Sequence, residues 1–222
     1  MTARWVVIAG ALAATVLALT WLALADAVVD RLGAPTPLDA AVLSFMLDHR
    51  NAVLTAILIV VTYAGGTVAM AVLTAVATGW LARRRDWSDA VLVAVAGSGA
   101  LILIPVTKGL IGRERPPVAS QLLIQMTPAF PSGHALGSLT VVGALTAVAL
   151  TRLPTRSVRV LFTCAGTLFV LTVGISRLYL GVHWATDVLG GWLLGATWLV
   201  LCLTTSTLIT LGRGATGPAP PP

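Results

Sequence analysis

The sequence predicts an all-α, polytopic membrane protein, a bundle of six transmembrane helices, from its composition, its runs of apolar residues and the placement of its charges. Of 222 residues, 57% are hydrophobic and only 10% are charged, with a mean hydropathy of +0.94. A soluble domain usually carries about 25% charged residues. Hiding that shortfall in a globular core would leave too little polar surface to cover it.

A helix that crosses a bilayer needs about 20 mostly apolar residues. Trp5 to Ala25 is uncharged and makes the first span. Arg4, the apolar run and Ala23-Leu24-Ala25 also fit a signal peptide. The run exceeds the about 7–15 residues of a signal core, which favours an uncleaved anchor. Pro37 to Arg50 mixes apolar residues with Asp39, Asp48 and His49, as in a helix lying along the outer surface. Ala52 to Ala82 is too long for one upright helix, and Gly65-Gly66 offers a break. That gives a short entering helix, Ala52 to Ala64, and a second span, Thr67 to Ala82. The third runs from Ala90 to Thr107 and on to Ile111, the fourth from His134 to Thr151, the fifth from Val160 to Ser176 and the sixth from His183 to Leu211. Residues 1–212 read as one domain without internal repeats, and the Pro-rich tail, 213–222, reads as disordered. Cys164 and Cys202 sit in apolar stretches as buried small hydrophobes, without disulfide or zinc spacing.

The charges set an expected orientation. With the amino terminus inside, the cytoplasmic segments hold eight arginines (4, 83, 84, 85, 152, 156, 159 and 213) against Asp86 and Asp89, a net of +6. The outer segments hold six basic and six acidic residues, a net of zero. The whole formal charge thus falls on one side, as the positive-inside rule requires. This accounts for a pI near 10.7 without nucleic acid as a partner. Both termini are then cytoplasmic, and Trp5, Trp80, Trp87 and Trp184 fall near span ends, where indole rings favour the interface.

Ionisable residues at membrane depth are costly and usually functional. Here they collect at the outer ends of the third, fifth and sixth spans. Lys108, Arg115 and Arg177 supply three cations where water is scarce. Such charges hold a phosphate and stabilise the charge of phosphoryl transfer, and arginine adds a planar fork that matches phosphate oxygens. Pro131-Ser132-Gly133-His134 reads as a helix start with Ser132 as N-cap. Gly133 permits close approach of a ligand, and free amides there bind anions. His183 and Asp187, four residues apart, share one face of a helix. The carboxylate then fixes the tautomer of a histidine that attacks, and His134 is free to protonate the departing oxygen. Taken singly, each piece has a plain structural reading: snorkelling cations, a capped turn, a helix-end ion pair. Arg113 takes that plain reading, and His49 reads as solvated surface. The motif pieces converge on one face of the membrane, which a purely structural set has no reason to do.

These residues resemble the signature of the type 2 phosphatidic acid phosphatase family of membrane lipid phosphatases. Its three parts are Lys-x6-Arg-Pro, Pro-Ser-Gly-His and Ser-Arg-x5-His-x3-Asp. All eleven fixed positions occur in order, at Lys108 to Pro116, Pro131 to His134 and Ser176 to Asp187. The resemblance spans about residues 52–211. Ala185 stands where many relatives carry proline. The resemblance implies a six-helix fold with its site at the outer face of a bacterial inner membrane. It makes His183 the phosphohistidine, Asp187 its orienting group and His134 the general acid. Lys108, Arg115, Ser132, the Gly133 amide and Arg177 would bind the phosphate. No cofactor is expected, and no metal, since a magnesium site wants one or two carboxylates and Asp187 is committed to His183. The expected substrate is a lipid phosphate or pyrophosphate: a polyprenyl pyrophosphate, phosphatidylglycerol phosphate, phosphatidic acid or diacylglycerol pyrophosphate. One Lys against thirteen Arg suggests a GC-rich bacterial genome, which with an external site tilts towards polyprenyl carrier recycling. The same motifs resemble vanadium haloperoxidases, which are soluble. A non-catalytic lipid-phosphate-binding protein is the alternative from another class, but binding alone would need only the cations.

Overall fold

A computed structural model describes residues 3–215. Among them the chain forms eight α-helices and one 3₁₀ turn, with no strand. The helices are α1 (Ala3–Asp30), α2 (Pro37–Asp48), α3 (Ala52–Ala64), α4 (Thr67–Arg83), α5 (Trp87–Ile111), α6 (Gly133–Leu150), α7 (Arg156–Tyr179) and α8 (Ala185–Ala215). Residues 216–222 of the expected disordered tail lie outside the described residues. Five helices, α1 and α5 to α8, are each long and apolar enough to cross a membrane. Helices α3 and α4 pass the same test only as a pair, bent by 45° at Gly65-Gly66, which makes up to six candidate spans.

Local chemistry sets the helix ends. Thr36 caps α2 through the Asp39 N–H, and Asp39 reciprocates to the Thr36 N–H at 2.9 Å, a capping box with Pro37 in the first turn. The Asn51 side chain caps α3, and Thr155 caps α7. At the break, a side chain on Gly65 would run into Val173 of α7.

Helix α8 is the hub, packing against α1, α2, α5, α6 and α7. Its contact with α6 depends on two glycines one turn apart. A methyl on Gly195 would lie 2.9 Å from the Leu136 carbonyl oxygen, and one on Gly191 would strike the Ser132 carbonyl. Small residues at this spacing let backbones approach closely, the usual device between helices in lipid. Trp198 then donates its indole N–H to the Ala96 carbonyl at 3.1 Å, tying α8 to α5. At one end of the bundle, Leu81, Val93, Ala96, Ala144, Val148 and Cys202 form a core. At that same end Arg152 pairs with Asp86, at 3.1 Å, and with Asp89.

Several expectations need correction. Only Cys202 is buried; Cys164 is exposed on α7, an outward face that costs a small apolar thiol nothing in lipid. Trp5, Trp80 and Trp87 are exposed, whereas Trp184 is buried and donates to the Glu114 carbonyl at 3.0 Å. Its ring is committed to the protein interior, so it is no interfacial anchor. Segment 37–50 is a helix as expected, yet α2 does more than cover a surface: Asp39 is wholly buried against the bundle.

Because neither carbonyl facing α8 can move without disturbing α6, Gly191→Ala is expected to overpack the interface at a cost of about 1–3 kcal/mol. Thermal unfolding in detergent should show a lowered midpoint for Gly191→Ala and an unlowered one for Gly79→Ala, where nothing lies within 4 Å and alanine favours the helix.

Candidate functional site

At the other end of the bundle the three motifs meet. Lys108, in the last turn of α5, is buried and donates to the carbonyls of Pro128 and Ala129. Gly112, at φ +64°, ends α5 in the left-handed conformation that glycine favours, and the chain turns into Arg113 and Arg115. Arg115 donates Nε–H to the Thr127 carbonyl at 2.6 Å and Nη2–H to the Thr127 hydroxyl at 3.1 Å, and its Nη1 reaches the Val182 carbonyl. The cations are therefore held by backbone carbonyls from two loops.

The Pro131–His134 segment opens α6 as expected, but Ser132 does not use its hydroxyl as a cap. Its backbone N–H donates to the Asp187 carbonyl at 2.9 Å, while its Oγ is buried without a partner among the described residues. A buried hydroxyl without a hydrogen bond is costly, and this one directly precedes Gly133 at the start of α6. His134, partly exposed, has no hydrogen-bond partner for its ring among the described residues. Its Nε2 lies beside the break of the α3–α4 span, 3.4 Å from where a Gly66 side chain would begin.

Arg177, in the last turn of α7, is 1% exposed and donates to the Thr62 hydroxyl at 2.6 Å, with its Nε unpaired among the described residues. Beyond it Gly181, at φ +68°, makes a turn in which any Cβ would strike the Ser120 carbonyl. That turn delivers His183, which precedes α8 and is not part of it. The expectation that His183 and Asp187 share a helical face is thus corrected. They meet because Asp187, in the first turn of α8, reaches back: its Oδ2 accepts from the Trp184 N–H at 2.8 Å and lies 3.2 Å from His183 Nδ1. An ionised carboxylate only accepts hydrogen bonds, so Nδ1 carries the proton and Nε2 keeps its lone pair. That lone pair faces Arg115 Nη1 at 3.2 Å.

These groups border one cleft of about 510 Å³. Lys108, Arg115, Gly133, His134, Arg177 and His183 line its polar end, and Leu101, Ile104 and Pro105 of α5 form an apolar wall. Burial lowers Arg115 to about 10, partly countered by Asp187, so it stays charged at neutral pH. Burial, followed by the Arg115, Arg177 and Lys108 charges, holds His183 well below the usual histidine range, so its ring is neutral. A neutral imidazole whose Nε2 accepts from Arg115 can attack an anion once that guanidinium turns to the anion's oxygens.

Sequence reasoning missed two residues. Arg113, read as an ordinary charge, is 2% exposed and bridges two buried carboxylates, Asp39 at 2.8 Å and Asp187 at 2.6 Å. Asp187 is therefore not committed to His183 alone. Asp39 lies on α2, far from the motifs in sequence, and its only signal was a capping-box spacing shared by many surface helices.

The fold and site are those of a polytopic helical membrane protein whose cleft is lined by three cations and two histidines. Residues 87–210 match the PAP2 superfamily, and the chain belongs to it. It is 37% identical over 122 residues to phosphatidylglycerophosphatase B of Bacillus subtilis, an alignment covering 54% of this chain and 59% of that one. It is 34% identical over 102 residues to undecaprenyl-diphosphatase of Sulfolobus acidocaldarius, covering 44% and 45% respectively. The chain thus spans about half the length of the curated relatives it matches. Its fold resembles the crystal structure of a transmembrane PAP2-type phosphatidylglycerolphosphate phosphatase from Bacillus subtilis, at a TM-score of 0.76 and 27% identity over 88% of this chain and 96% of that one. The crystal structure of Aquifex aeolicus LpxE shares the fold at a TM-score of 0.60 and 19% identity, over 76% of this chain and 96% of that one.

The unpaired Ser132 hydroxyl gives a test that separates stability from binding. Ser132→Ala removes a buried, unsatisfied group, so the thermal midpoint should hold or rise. Orthovanadate binding, read by calorimetry, should weaken at least several-fold, about the worth of one hydrogen bond to an anion.

Proposed function

We propose that this chain is a membrane phosphatase that hydrolyses a lipid phosphate or pyrophosphate through a phosphohistidine on His183. The observation that carries this reading is that His183, its Nδ1 held 3.2 Å from Asp187 Oδ2, lines one cleft with Lys108, Arg115, Arg177 and His134. An apolar wall continuous with a cationic end suits an amphiphile with an anionic head. The names of the Bacillus and Sulfolobus relatives support the same substrate class.

In this mechanism the phosphate exchanges its oxygens for the loop carbonyls that hold Lys108 and Arg115, and adds bonds from Arg177, the Ser132 hydroxyl and the Gly133 amide. His183 Nε2 attacks phosphorus as the bond to the leaving oxygen breaks, and His134 gives that oxygen a proton. The phosphoimidazolium keeps its Nδ1 proton, which Asp187 holds. Water then attacks phosphorus, His134 takes its proton, and the N–P bond breaks to release phosphate. His183 supplies the covalent step, and the positioned cations stabilise the charge on the transferring group. No three His, Cys, Asp or Glu side chains converge on a metal-sized site among the described residues. The positions for substrate charge are filled by cations.

We read residues 1–212 as one domain, with both termini cytoplasmic and the site on the outer face of the membrane, as the charge distribution favours. The substrate reading tilts to a polyprenyl pyrophosphate.

Phosphate release from a panel of lipid phosphates by the purified protein tests the activity, and release should persist in EDTA. Lipid binding without release would leave the non-catalytic reading instead. The two histidines should separate by leaving group. An alkoxide needs general-acid help worth about 10²–10⁴-fold, whereas a nitrophenolate leaves almost unaided. His134→Ala should therefore lose most activity on phosphatidic acid and keep a larger share on p-nitrophenyl phosphate, while His183→Ala loses both. Equal fractional losses for His134→Ala on the two substrates remove it as the acid.

Orientation is tested with single cysteines in a background lacking Cys164 and Cys202. An impermeant thiol reagent on intact cells should label Ala119→Cys and spare Ser88→Cys. The reverse pattern inverts the topology.

A further inference from the structure

Asp187 has two oxygens with separate duties. Oδ2 faces His183 Nδ1 at 3.2 Å and the Trp184 N–H at 2.8 Å, while Oδ1 accepts from Arg113 Nη1 at 2.6 Å. Arg113 is itself fixed from the far side, by Asp39 Oδ2 at 2.8 Å and the Gly33 carbonyl at 3.2 Å. Its Nη1 also reaches the Thr186 hydroxyl at 2.6 Å. Asp39 has no freedom to turn: Thr186 meets it through its N–H at 2.9 Å, and Thr36 through its N–H at 2.9 Å. The side chains of Arg113, Asp39 and Asp187 are all fully shielded from solvent.

We propose that Arg113 and Asp39 are positioning residues for the His183–Asp187 pair, with Asp39 dividing the Arg113 charge so that Asp187 keeps enough negative charge to support an imidazolium. The proposal rests on the phosphatase reading. Its logic is electrostatic. One guanidinium between two carboxylates leaves a net charge of −1, which the positive ring of a phosphorylated His183 offsets, while Lys108, Arg115 and Arg177 face the phosphoryl oxygens. Without the Asp39 charge, Arg113 would neutralise Asp187 alone and weaken its hold on the Nδ1 proton. A purely structural ion pair needs only one acid for one base, and an apolar replacement often serves stability as well. Here a second acid is supplied from α2. Burial alone would raise the Asp39 carboxyl, but the Thr186 and Thr36 N–H groups and Arg113 outweigh it and hold Asp39 below the ordinary range, so it is ionised at neutral pH. Asp39 also lies outside residues 87–210, the segment that matches the family, so the site extends beyond that segment.

The test is a double-mutant cycle on the full-length protein in detergent. Asp39→Asn keeps the shape and removes the charge; Arg113→Lys keeps the charge and removes the fork. Each should lower kcat by about 10-fold or more with KM little changed, the usual scale for groups that orient a reacting residue. In an Asp187→Asn background the same substitutions should cost less than about 2-fold, because groups acting through one residue are not additive. An unchanged kcat, or the same loss in both backgrounds, overturns the proposal.

Nitrogen-15 NMR of the labelled histidines supplies an arm that needs no turnover. With only His49, His134 and His183 in the sequence, His183 is assigned by its loss in His183→Ala. The wild-type protein must show the Nδ1–H tautomer at His183, and Asp39→Asn must shift it towards a mixture. An Nε2–H tautomer in the wild type overturns the proposal even if neither variant folds. If no lipid phosphate is hydrolysed, the phosphatase reading fails on its own and the NMR arm decides the positioning.

Discussion

The structure depends on one constraint: ionised groups buried at the end of an apolar bundle must each find a partner. An isolated charge away from water costs several kcal/mol or more. Asp187 is where that constraint concentrates. It holds Arg113, the imidazole of His183 and the first turn of α8 together, and its backbone carbonyl receives the Ser132 N–H. One residue thereby fixes the relative positions of all three motifs. Lys108 and Arg115 meet the same requirement with loop carbonyls. Neutral carbonyls are adequate partners for a cation and weaker ones than a phosphate oxygen, so an arriving anion has something to gain.

Packing in the rest of the bundle serves that end. Gly191 and Gly195 bring α8 against α6 so closely that the Ser132 backbone and Asp187 touch. The broken α3–α4 span places Thr62 under Arg177 and Gly66 beside His134. Pro105 inside α5 cannot donate to the Leu101 carbonyl, and both residues face the cleft. The irregular backbone thus lines a cavity, where a membrane protein tolerates it.

Much of this was legible in the sequence. Apolar runs alone gave the spans, because only a helix satisfies its own backbone in lipid. The Gly65-Gly66 break and the motif histidines and cations were readable because their residue types leave few other uses at that depth. His183, Asp187, Lys108, Arg115, Arg177 and His134 do meet at one end of the bundle. Some details were misread for local reasons. Four-residue spacing suggested a helical face for His183 and Asp187, but Gly181 turns the chain and α8 starts only at Ala185.

What the sequence determined by itself was the membrane-spanning class, the helices and the motif residues that gather at one cleft. Each depends on composition, short spacing or a motif. What only the tertiary structure decided was the company those residues keep. Arg113 and Asp39 are 74 positions apart. Nothing local distinguishes a surface arginine from one sealed between two acids. Nor does Ser132 reveal from its own neighbours that its hydroxyl is left unpaired. Burial and pairing at such distances arise when α2, α6 and α8 pack together, because the energy of a charge depends on what surrounds it in space.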